Sequence, residues 1–478
     1  MLFNSFSFAI FFPIVFILYW FICNKNYKYQ NFLLLIASYY FYACWDWRFM
    51  FLLIFSTFLD YFTGLMIEGA LNKKNKKIWL WLSIIINLGF LGFFKYYNFF
   101  VESFAQLFQD LGLHIDVWTL HIILPIGISF YTFHGLSYVL DIYNGKIKAE
   151  KNFVDYSVFV SFFPLLVAGP IERATHLLPQ IQKERKFNYT KSVDGLRQIL
   201  WGLFKKVVIA DNCAEYANMI FNDSAHQSGS NLVMGALFFT VQIYCDFSGY
   251  SDIALGTARL LGIELLKNFS FPYFSRDIAE FWRRWHISLS SWFRDYLYIP
   301  LGGSKGGTWM KVRNTFIIFL VSGFWHGANW TFVFWGGLNA IYFLPLLLTN
   351  KNRNNLEVVA MGSLLPTVKD FFKIIITFSL TVFAWIFFRA EDMSHAFSYI
   401  DGILSKSLFT FPSVFPVSII FLTIFFFVIE WFGRENHFAI ETFGFKWPKI
   451  FRRIFYYLII ILIFLFMGKE QEFIYFQF

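Results

Sequence analysis

The sequence predicts an all-α integral membrane protein with about 11 transmembrane helices, together with re-entrant or amphipathic helices. Hydrophobic residues make up 57% of the 478-residue chain, and the mean hydropathy is +0.53. This composition excludes an ordinary soluble globular protein. Apolar runs near the roughly 20 residues that a helix needs to cross the bilayer core recur along the whole chain.

The candidate spans are apolar runs with few charges. In the first half they are residues 5–23, 31–44, 49–67, 78–100, 120–140, 153–167, 199–209 and 231–254. In the second half they are residues 316–325, 332–348, 371–388, 414–431 and 454–467. Of these, 316–325 reaches the required length only if its neighbours join it. We expect residues 6–23 to be a retained first span, because no basic leader or cleavage pattern precedes them.

Charge predicts the orientation of these spans. The chain carries 40 Lys and Arg against 31 Asp and Glu, a net charge of +9. In a membrane protein this excess is typical of cytoplasmic loops and does not imply nucleic-acid binding. The basic loops near Lys28, Lys74 and Lys148, and residues 283–313, are therefore expected to be cytoplasmic.

The middle of the chain is less regular. Gly169-Pro170 and the polar residues 172–190 interrupt the apolar pattern, so we expect a re-entrant element there, buried by protein. No internal repeat or long linker is evident, and we expect one membrane-embedded domain, residues 1–478.

The stretch 271–348 joins the most polar and the most apolar parts of the sequence. A charged aromatic segment, 276–303, is too polar to span lipid. It contains Arg283, Arg284, Trp285 and His286. An apolar stretch follows and places His326 between Trp325 and Gly327. An ionisable residue in such a stretch marks a candidate functional site.

His326 has two interpretations from the residues alone. A neutral imidazole suits the base that removes a hydroxyl proton during acyl transfer from a thioester, and burial keeps the ring neutral. Gly327 and Ala328 would then let a substrate approach the backbone, while Trp325 and Trp330 would line a tunnel. The alternative is a packing histidine that bonds to a neighbouring helix.

The arginines of the polar segment also have two interpretations. Arg276, Arg283, Arg284 and Arg294 lie among tryptophans, a pattern typical of anchoring to anionic lipid headgroups. Planar guanidinium groups also bind phosphates well, so some of these residues are candidates for contacts with coenzyme A.

Two carboxylates interrupt the apolar span 231–254. Asp246 and Asp252 are costly in lipid, so they must face protein or a water-filled cavity. No histidine or cysteine stands at ligand spacing, and we expect no metal site. The two residues are expected to order the helices around a reaction chamber, with Asp246 a candidate for substrate binding.

Several motifs occur in a characteristic order. They are residues 163–172, 244–252, 283–290, 296–303 and 325–327, and the tail 473–478. This pattern resembles the membrane-bound O-acyltransferase (MBOAT) superfamily, and within it the bacterial branch of alginate and peptidoglycan O-acetyltransferase membrane components.

The resemblance implies helices around a central tunnel, with His326 as the catalytic residue. It implies a supporting catalytic role for His286, although the residues alone fit an interfacial histidine that caps or packs a short helix equally well. Trp325 and Trp285 are substrate-binding candidates. The tail, 468–478, is similar to a motif in which a tyrosine carries the acyl group, which points to Tyr475. Composition alone favours an aromatic belt at the membrane interface.

The expected function is therefore acetyl transfer across the bacterial inner membrane. The donor is cytoplasmic acetyl-CoA, and no bound cofactor is expected. The expected partners are an SGNH-esterase-like extracytoplasmic protein, a polysaccharide acceptor and membrane lipids. The acceptor would be an alginate-like exopolysaccharide or peptidoglycan. The alternatives are D-alanyl transfer to teichoic acid, and export of a polysaccharide or lipid-linked sugar with His326 as a packing or proton-relay residue.

Overall fold

The apolar runs fold into helices that divide between two compact units. The computed structural model describes residues 1–113, 119–120, 122–167, 169–468, 471 and 473–474. The first unit comprises Met1–Lys191 with Ala258–Leu266, and the second Ser192–Thr257 with Lys267–Phe478. All regular structure in these described ranges is helical, which confirms the all-α prediction. Helices satisfy their backbone hydrogen bonds internally, as lipid requires.

The first unit begins with nine helices in the described chain. They are α1 (Phe6–Ile17), α2 (Tyr27–Ala43), α3 (Trp47–Gly69), α4 (Lys73–Leu91), α5 (Tyr97–Asp110), α6 (Ile128–Tyr143), α7 (Phe153–Ser161), α8 (Phe163–Leu166) and α9 (Ala174–Ile181). π-helical turns extend α1 through Leu18–Ile22 and join α4 to α5 through Gly92–Tyr96.

The second unit contains the helices that carry or flank the candidate site residues. They are α10 (Tyr189–Leu203), α11 (Asp211–Asn222), α12 (Gly229–Leu260), α13 (Ile278–Arg284), α14 (Ile287–Phe293), α15 (Gly307–His326), α16 (Trp330–Leu348), α17 (Val368–Arg389), α18 (Met393–Ile403), α19 (Val417–Gly433) and α20 (Lys449–Leu465). The first residues of α10 and the last of α12 belong to the first unit. A π-helical segment, Phe204–Ala210, makes α10 and α11 continuous.

Among the residues that the structure describes, five helical segments are long and apolar enough to cross a membrane. They are Trp47–Gly69, Lys73–Asp110, Gly229–Leu260, Trp330–Leu348 and Val368–Arg389. Shorter apolar helices occupy Phe6–Ile22 and Val417–Gly433. The chain is thus a multi-pass membrane protein, and the larger count of about 11 spans stays a prediction.

Two predicted spans are wrong as continuous helices. The span 120–140 becomes helical only at Ile128, because Pro125 and the left-handed Gly127, with φ of 75°, precede it. The span 153–167 breaks between α7 and α8 at Phe162, since Pro164 favours a new helix start. By contrast, 316–325 is lengthened by its N-terminal neighbours into the 20-residue α15.

Candidate active site

The site is built on a helical hairpin of α15 and α16. Glycines let the two helices touch: a Cβ added at Gly323 would overlap with the carbonyl of Phe332, and one at Gly336 with that of Phe319. Asn329 caps α16 by accepting a hydrogen bond from the Thr331 N–H at 3.0 Å. This tight connection fixes the direction of the last residue of α15.

That last residue is His326, which is 2% exposed. Its ring centroid lies 5.0 Å from that of Trp325, 5.2 Å from Trp335 and 5.3 Å from Phe388. The histidine therefore occupies a helix end enclosed by aromatic rings. We expected this histidine to lie within a membrane-length apolar stretch. The structure places it at the C-terminal residue of α15.

The space beside Gly327 differs from the expectation. The side of Gly327 where a substrate was expected to approach is filled by the ring of Phe332, which a Cβ would overlap. Trp330 is 57% exposed at the start of α16, and its place in a tunnel wall stays a prediction. Trp325 is 5% exposed and remains beside His326.

The structure brings His286 into the same aromatic group. Its ring centroid lies 6.1 Å from that of Trp325 and 4.7 Å from that of Phe247. It is 1% exposed, so it is buried in protein, and it stands at the N-cap position of the short helix α14. Its supporting catalytic role stays a prediction. Burial lowers the pKa of His286 to about 3, so the ring is neutral near pH 7. Trp325 thus links two histidines that are far apart in sequence.

The backbone at His286 is strained. Its φ is 41°, in the left-handed region that disfavours a side chain. The Ile287 N–H donates to the Asn268 carbonyl at 2.8 Å, and the Ser288 hydroxyl donates to the Asn268 amide oxygen at 2.6 Å. The Asn268 amide in turn donates to the Ser251 hydroxyl at 3.2 Å. Such strain often accompanies functional sites, and no sequence pattern announced it.

Trp285 lies within an aromatic core. It is 1% exposed, and its ring centroid lies 5.1 Å from that of Trp385 and 5.5 Å from that of Phe281. Trp385 stacks on Trp335 at 5.5 Å, and Trp335 contacts His326. The tryptophan therefore supports the histidine through two further rings, and its direct contact with a substrate stays a prediction.

Asp246 holds the C-terminal tail. Its Oδ1 lies 2.7 Å from Nζ of Lys206, and its Oδ2 accepts a hydrogen bond from the Ile474 N–H at 2.7 Å. Lys206 also pairs with Asp211 at 2.8 Å and donates to the Gln471 carbonyl at 3.2 Å. Both members of the ion pair are at most 2% exposed.

The described part of the tail docks against a ring neighbour of His286. Phe473 and Ile474 are fully buried, and the ring of Phe473 lies 4.6 Å from that of Tyr250 and 6.0 Å from that of Phe247. Phe247 in turn contacts His286. Tyr475 lies outside the described residues. Its two immediate predecessors are therefore buried in protein and not spread along an interface.

Sequence reasoning missed a second polar group in this unit. Lys205 pairs with Asp252 at 2.6 Å, which confirms that Asp252 faces protein. Glu430 on α19 accepts hydrogen bonds from the Trp201 N–H at 3.0 Å and the Tyr244 hydroxyl at 2.7 Å. The available signal was Lys205-Lys206 within an apolar run, since cations at membrane depth need partners.

The arginines of the polar segment are engaged with protein. Arg284 pairs with Glu280 at 2.9 Å and donates to the Glu357 carbonyl at 3.0 Å. Arg283 donates to the carbonyls of Asn352 and Asn355, each at 2.7 Å. Their contacts hold the loop before α17. Binding of coenzyme A by these arginines stays a prediction.

Fold and site together define a multi-pass membrane protein with two histidines buried among aromatic rings. The model of the membrane-bound O-acyltransferase family matches residues 146–384. The chain is 41% identical to the probable alginate O-acetylase of Pseudomonas aeruginosa over 85% of this chain and 75% of that protein. It is 37% identical to the peptidoglycan O-acetyltransferase of Helicobacter pylori over 84% of this chain and 80% of that protein.

A teichoic acid D-alanyltransferase of Bacillus subtilis is more distant, with 30% identity over 45% of this chain and 57% of that protein. The chain belongs to the membrane-bound O-acyltransferase family, and it is an O-acyltransferase.

Proposed function

We propose that this protein moves acetyl groups from cytoplasmic acetyl-CoA through the inner membrane for O-acetylation of an extracytoplasmic polysaccharide. The acceptor class, an alginate-like exopolysaccharide or peptidoglycan, is supported by the similarity to the two O-acetylating relatives. About 11 spans would surround a central tunnel, since further helices of intermediate length join the five long ones. The observation that carries the proposal is the burial of His326 and His286 against the shared ring of Trp325.

His326 is the proposed general base. It takes the proton of the attacking hydroxyl while that oxygen forms a bond to the acetyl carbonyl carbon. The C–S bond then breaks, and the proton passes to the departing thiolate of coenzyme A. A neutral imidazole can perform both transfers, and surrounding rings exclude water that would hydrolyse the thioester. His286 supports this site as a second neutral imidazole near the same tryptophan.

Acetyl-CoA would enter from the basic face. Arg294 has a 64% exposed side chain, unlike Arg276 and Arg284, whose side chains are 12% exposed and paired with Glu280. The exposed cation has the better access to the phosphates of coenzyme A or to lipid headgroups. Arg283 and Arg284 would shape the entrance by holding the loop that carries Asn355 and Glu357.

Tyr475 is the proposed relay to the outside. Its hydroxyl would attack the acetyl carbonyl and lose its proton to His326 as the C–S bond breaks. A hydroxyl of an SGNH-like extracytoplasmic partner would later attack the acetyl-tyrosine, and its proton would pass to the released tyrosine oxygen. The docking of Phe473 and Ile474 supports this role, because Phe473 contacts Phe247 and the ring of Phe247 contacts His286. Asp246 would then assist by holding the tail.

Two alternative functions differ from this proposal in the reaction or the substrate. D-alanyl transfer is favoured by the similarity to the teichoic acid D-alanyltransferase, which extends over a smaller part of the chain. An exporter of polysaccharide would use the same helices without cleaving a thioester. A neighbouring gene for an aminoacyl carrier protein would indicate the first rival, and a failure to cleave acetyl-CoA would indicate the second.

Inside-out membrane vesicles test the function and its direction together. Acetyl-CoA labelled in the acetyl group is added outside, so that it meets the former cytoplasmic face. We expect protein-dependent release of coenzyme A and appearance of label within the vesicles. In parallel, a cysteine replacing the exposed Thr308, in a background lacking Cys23 and Cys44, should react with impermeant thiol reagents only in these vesicles. Labelling in intact cells would reverse the orientation.

A further inference from the structure

A long irregular loop joins α16 to α17. It comprises residues 349–367 and exceeds the roughly 12–15 residues beyond which loops without secondary structure are uncommon. Both flanking helices are long and apolar enough to cross a membrane, so the loop leaves the bilayer surface and returns to it. Arg283 and Arg284 donate to carbonyls of the loop, which therefore lies on the face of the unit that is predicted to be cytoplasmic.

The loop exposes large aliphatic side chains. Between 64% and 74% of the side-chain surface is exposed at Leu356, Met361, Leu364, Leu365 and, at the start of α17, Val368. So many exposed apolar side chains within one short stretch are typical of an interaction surface or of membrane contact. The loop therefore has a surface that bulk water disfavours.

The first half of the loop is held against α13. Arg283 donates to the carbonyls of Asn352 and Asn355, each at 2.7 Å. Arg284 donates to the Glu357 carbonyl at 3.0 Å. These guanidinium groups satisfy main-chain oxygens that have no partner in a helix or strand. The loop therefore keeps a fixed position although it contains no regular structure.

The second half of the loop is held against the end of α19. Arg434 donates to the carbonyls of Ala360 and Ser363, each at 2.6 Å. Trp431 donates to the Leu364 carbonyl at 2.8 Å. Ala360 has a φ of 51°, in the left-handed region that residues with a side chain rarely adopt. Such strain persists only where the surroundings over-determine the backbone, so this turn holds its apolar side chains in a fixed arrangement.

Basic residues lie on both sides of the exposed apolar side chains. Lys351, Arg353 and Lys369 are exposed, and Glu357 is the acidic residue of the stretch 349–369. The stretch is therefore positively charged. Apolar side chains flanked by exposed cations are typical of protein segments that lie in the interface of a bilayer with anionic lipids.

We propose that residues 349–369 insert into the adjacent leaflet and bind phospholipids with anionic headgroups. The three exposed cations contact the headgroups, and the side chains that enter the upper acyl region are Leu356, Met361, Leu364, Leu365 and Val368. A lipid surface is favoured over a protein partner because the loop begins and ends at helices that cross the bilayer. This lipid site goes beyond the proposed acetyl transfer and does not depend on it.

Fluorescence quenching in nanodiscs tests the proposal. The full-length protein carries an environment-sensitive label at Leu365→Cys in a background that lacks Cys23 and Cys44, while the buried Cys213 and Cys245 are kept. The nanodiscs contain phosphatidylglycerol and phosphatidylcholine in equal amounts, with bromine on the acyl chains of one lipid or the other. We expect both brominated lipids to quench the label, and phosphatidylglycerol to quench it at least twofold more strongly.

The controls separate insertion from charge. A label at Asn354→Cys, an exposed polar position of the same loop, should be quenched less by either lipid. The variant Lys351→Gln/Arg353→Gln/Lys369→Gln should still be quenched at the first label position but lose the preference for phosphatidylglycerol. Lys305→Gln removes an exposed charge on the same predicted face outside the loop and should keep the preference. Equal thermal unfolding midpoints show that the changes are local.

Several outcomes overturn the proposal. They are quenching at Leu365→Cys no stronger than at Asn354→Cys, equal quenching by the two brominated lipids, or an unchanged preference in the variant without the three cations. A label at Leu365→Cys that aqueous iodide quenches and brominated lipid does not would place the apolar side chains in solvent or at a protein partner. None of these measurements uses acetyl transfer, so they stand apart from the test of the proposed function.

Discussion

Nζ of Lys206 lies 2.7 Å from Oδ1 of Asp246, and the other carboxylate oxygen of Asp246 binds the backbone of the C-terminal tail. A single buried ion pair thereby joins the π-helical turn after α10 to α12 and to Ile474. Together with the Lys205–Asp252 pair at 2.6 Å, it explains why two carboxylates and two lysines are tolerated within apolar runs.

The first prediction concerns this pair. Asp246→Ala leaves Lys206 with Asp211 as its remaining carboxylate and removes the acceptor for the Ile474 N–H. Breaking a buried pair costs about 3–5 kcal/mol, and we expect the lower end because Asp211 remains. Thermal unfolding in detergent measures the loss, and protease cleavage near residue 471 measures tail release.

The control for this variant is a surface pair. Asp295→Asn removes the carboxylate that pairs with the 64% exposed Arg294 and should cost less than about 1 kcal/mol. If Asp246→Ala is as stable as this control and its tail stays protected, the pair does not hold the tail.

The second prediction concerns the packing that positions His326. Gly336→Ala should lower both activity and stability, because its Cβ would overlap with the Phe319 carbonyl and push α16 away from α15. The neighbouring Gly337→Ala is the matched control, since its Cβ would lie 3.6 Å from Leu320 Cδ2, an ordinary contact. Transfer rates and unfolding midpoints of the two variants give the comparison. Equal values would show that the hairpin does not set the position of the histidine.

The third prediction concerns pH. His286 has a pKa of about 3 when folded and near 6.5 when unfolded. Below pH 6.5 His286 therefore binds a proton in the unfolded chain but not in the folded protein. The stability of the protein consequently falls as the pH drops from 6.5 towards 3. His286→Gln should lose less stability than the wild type between pH 7.5 and 5.

An exposed histidine serves as the comparison. Asp223 raises the pKa of His226, so the pH dependence of its effect on stability is opposite to that of His286. The small stabilisation from this pair is present at low pH and lost as the pH rises. His226→Gln should follow the wild type closely, because both partners are exposed. A wild-type pH profile that His286→Gln reproduces would contradict the burial of a neutral imidazole.

The fourth prediction concerns the tail tyrosine. Tyr475→Phe keeps the ring and removes the hydroxyl, so a relay loses its nucleophile while an aromatic anchor is preserved. We expect loss of O-acetyl groups from the glycan in cells, with normal protein level in the membrane. Near wild-type O-acetylation would make Tyr475 an anchor. Phe478→Tyr, which leaves Tyr475 intact, is the matched aromatic control.

The membrane class and the position of the histidine are readable from local sequence. Apolar runs of about 20 residues predict the all-α class, because a helix of that length crosses the bilayer core and satisfies its backbone hydrogen bonds internally. His326 stands out because it lies alone beside an apolar run. The breaks at Phe162 and Gly127 also had local signals, since Pro164 favours a new helix start and Pro125 disfavours helix at the residue before it.

Tertiary pairings were not readable in the same way. Lys205 pairs with Asp252 and Lys206 pairs with Asp246, on a different helix. The sequence does not show which lysine pairs with which carboxylate. Likewise, Arg284 appeared available for phosphate or lipid, yet Glu280 at i−4 and a distant carbonyl engage it. Such contacts depend on helix packing, which a single sequence constrains only weakly.

The central claim, that His326 is the base for acetyl transfer, is tested most directly with purified protein and labelled acetyl-CoA. The wild type, His326→Ala and the volume-preserving His326→Gln are compared at equal amounts of folded protein, as judged by their unfolding midpoints. We predict that both variants lose about 10²–10⁴ in the rate of acetyl transfer, the usual contribution of a general base. Transfer within a few-fold of the wild type by either folded variant would contradict the account.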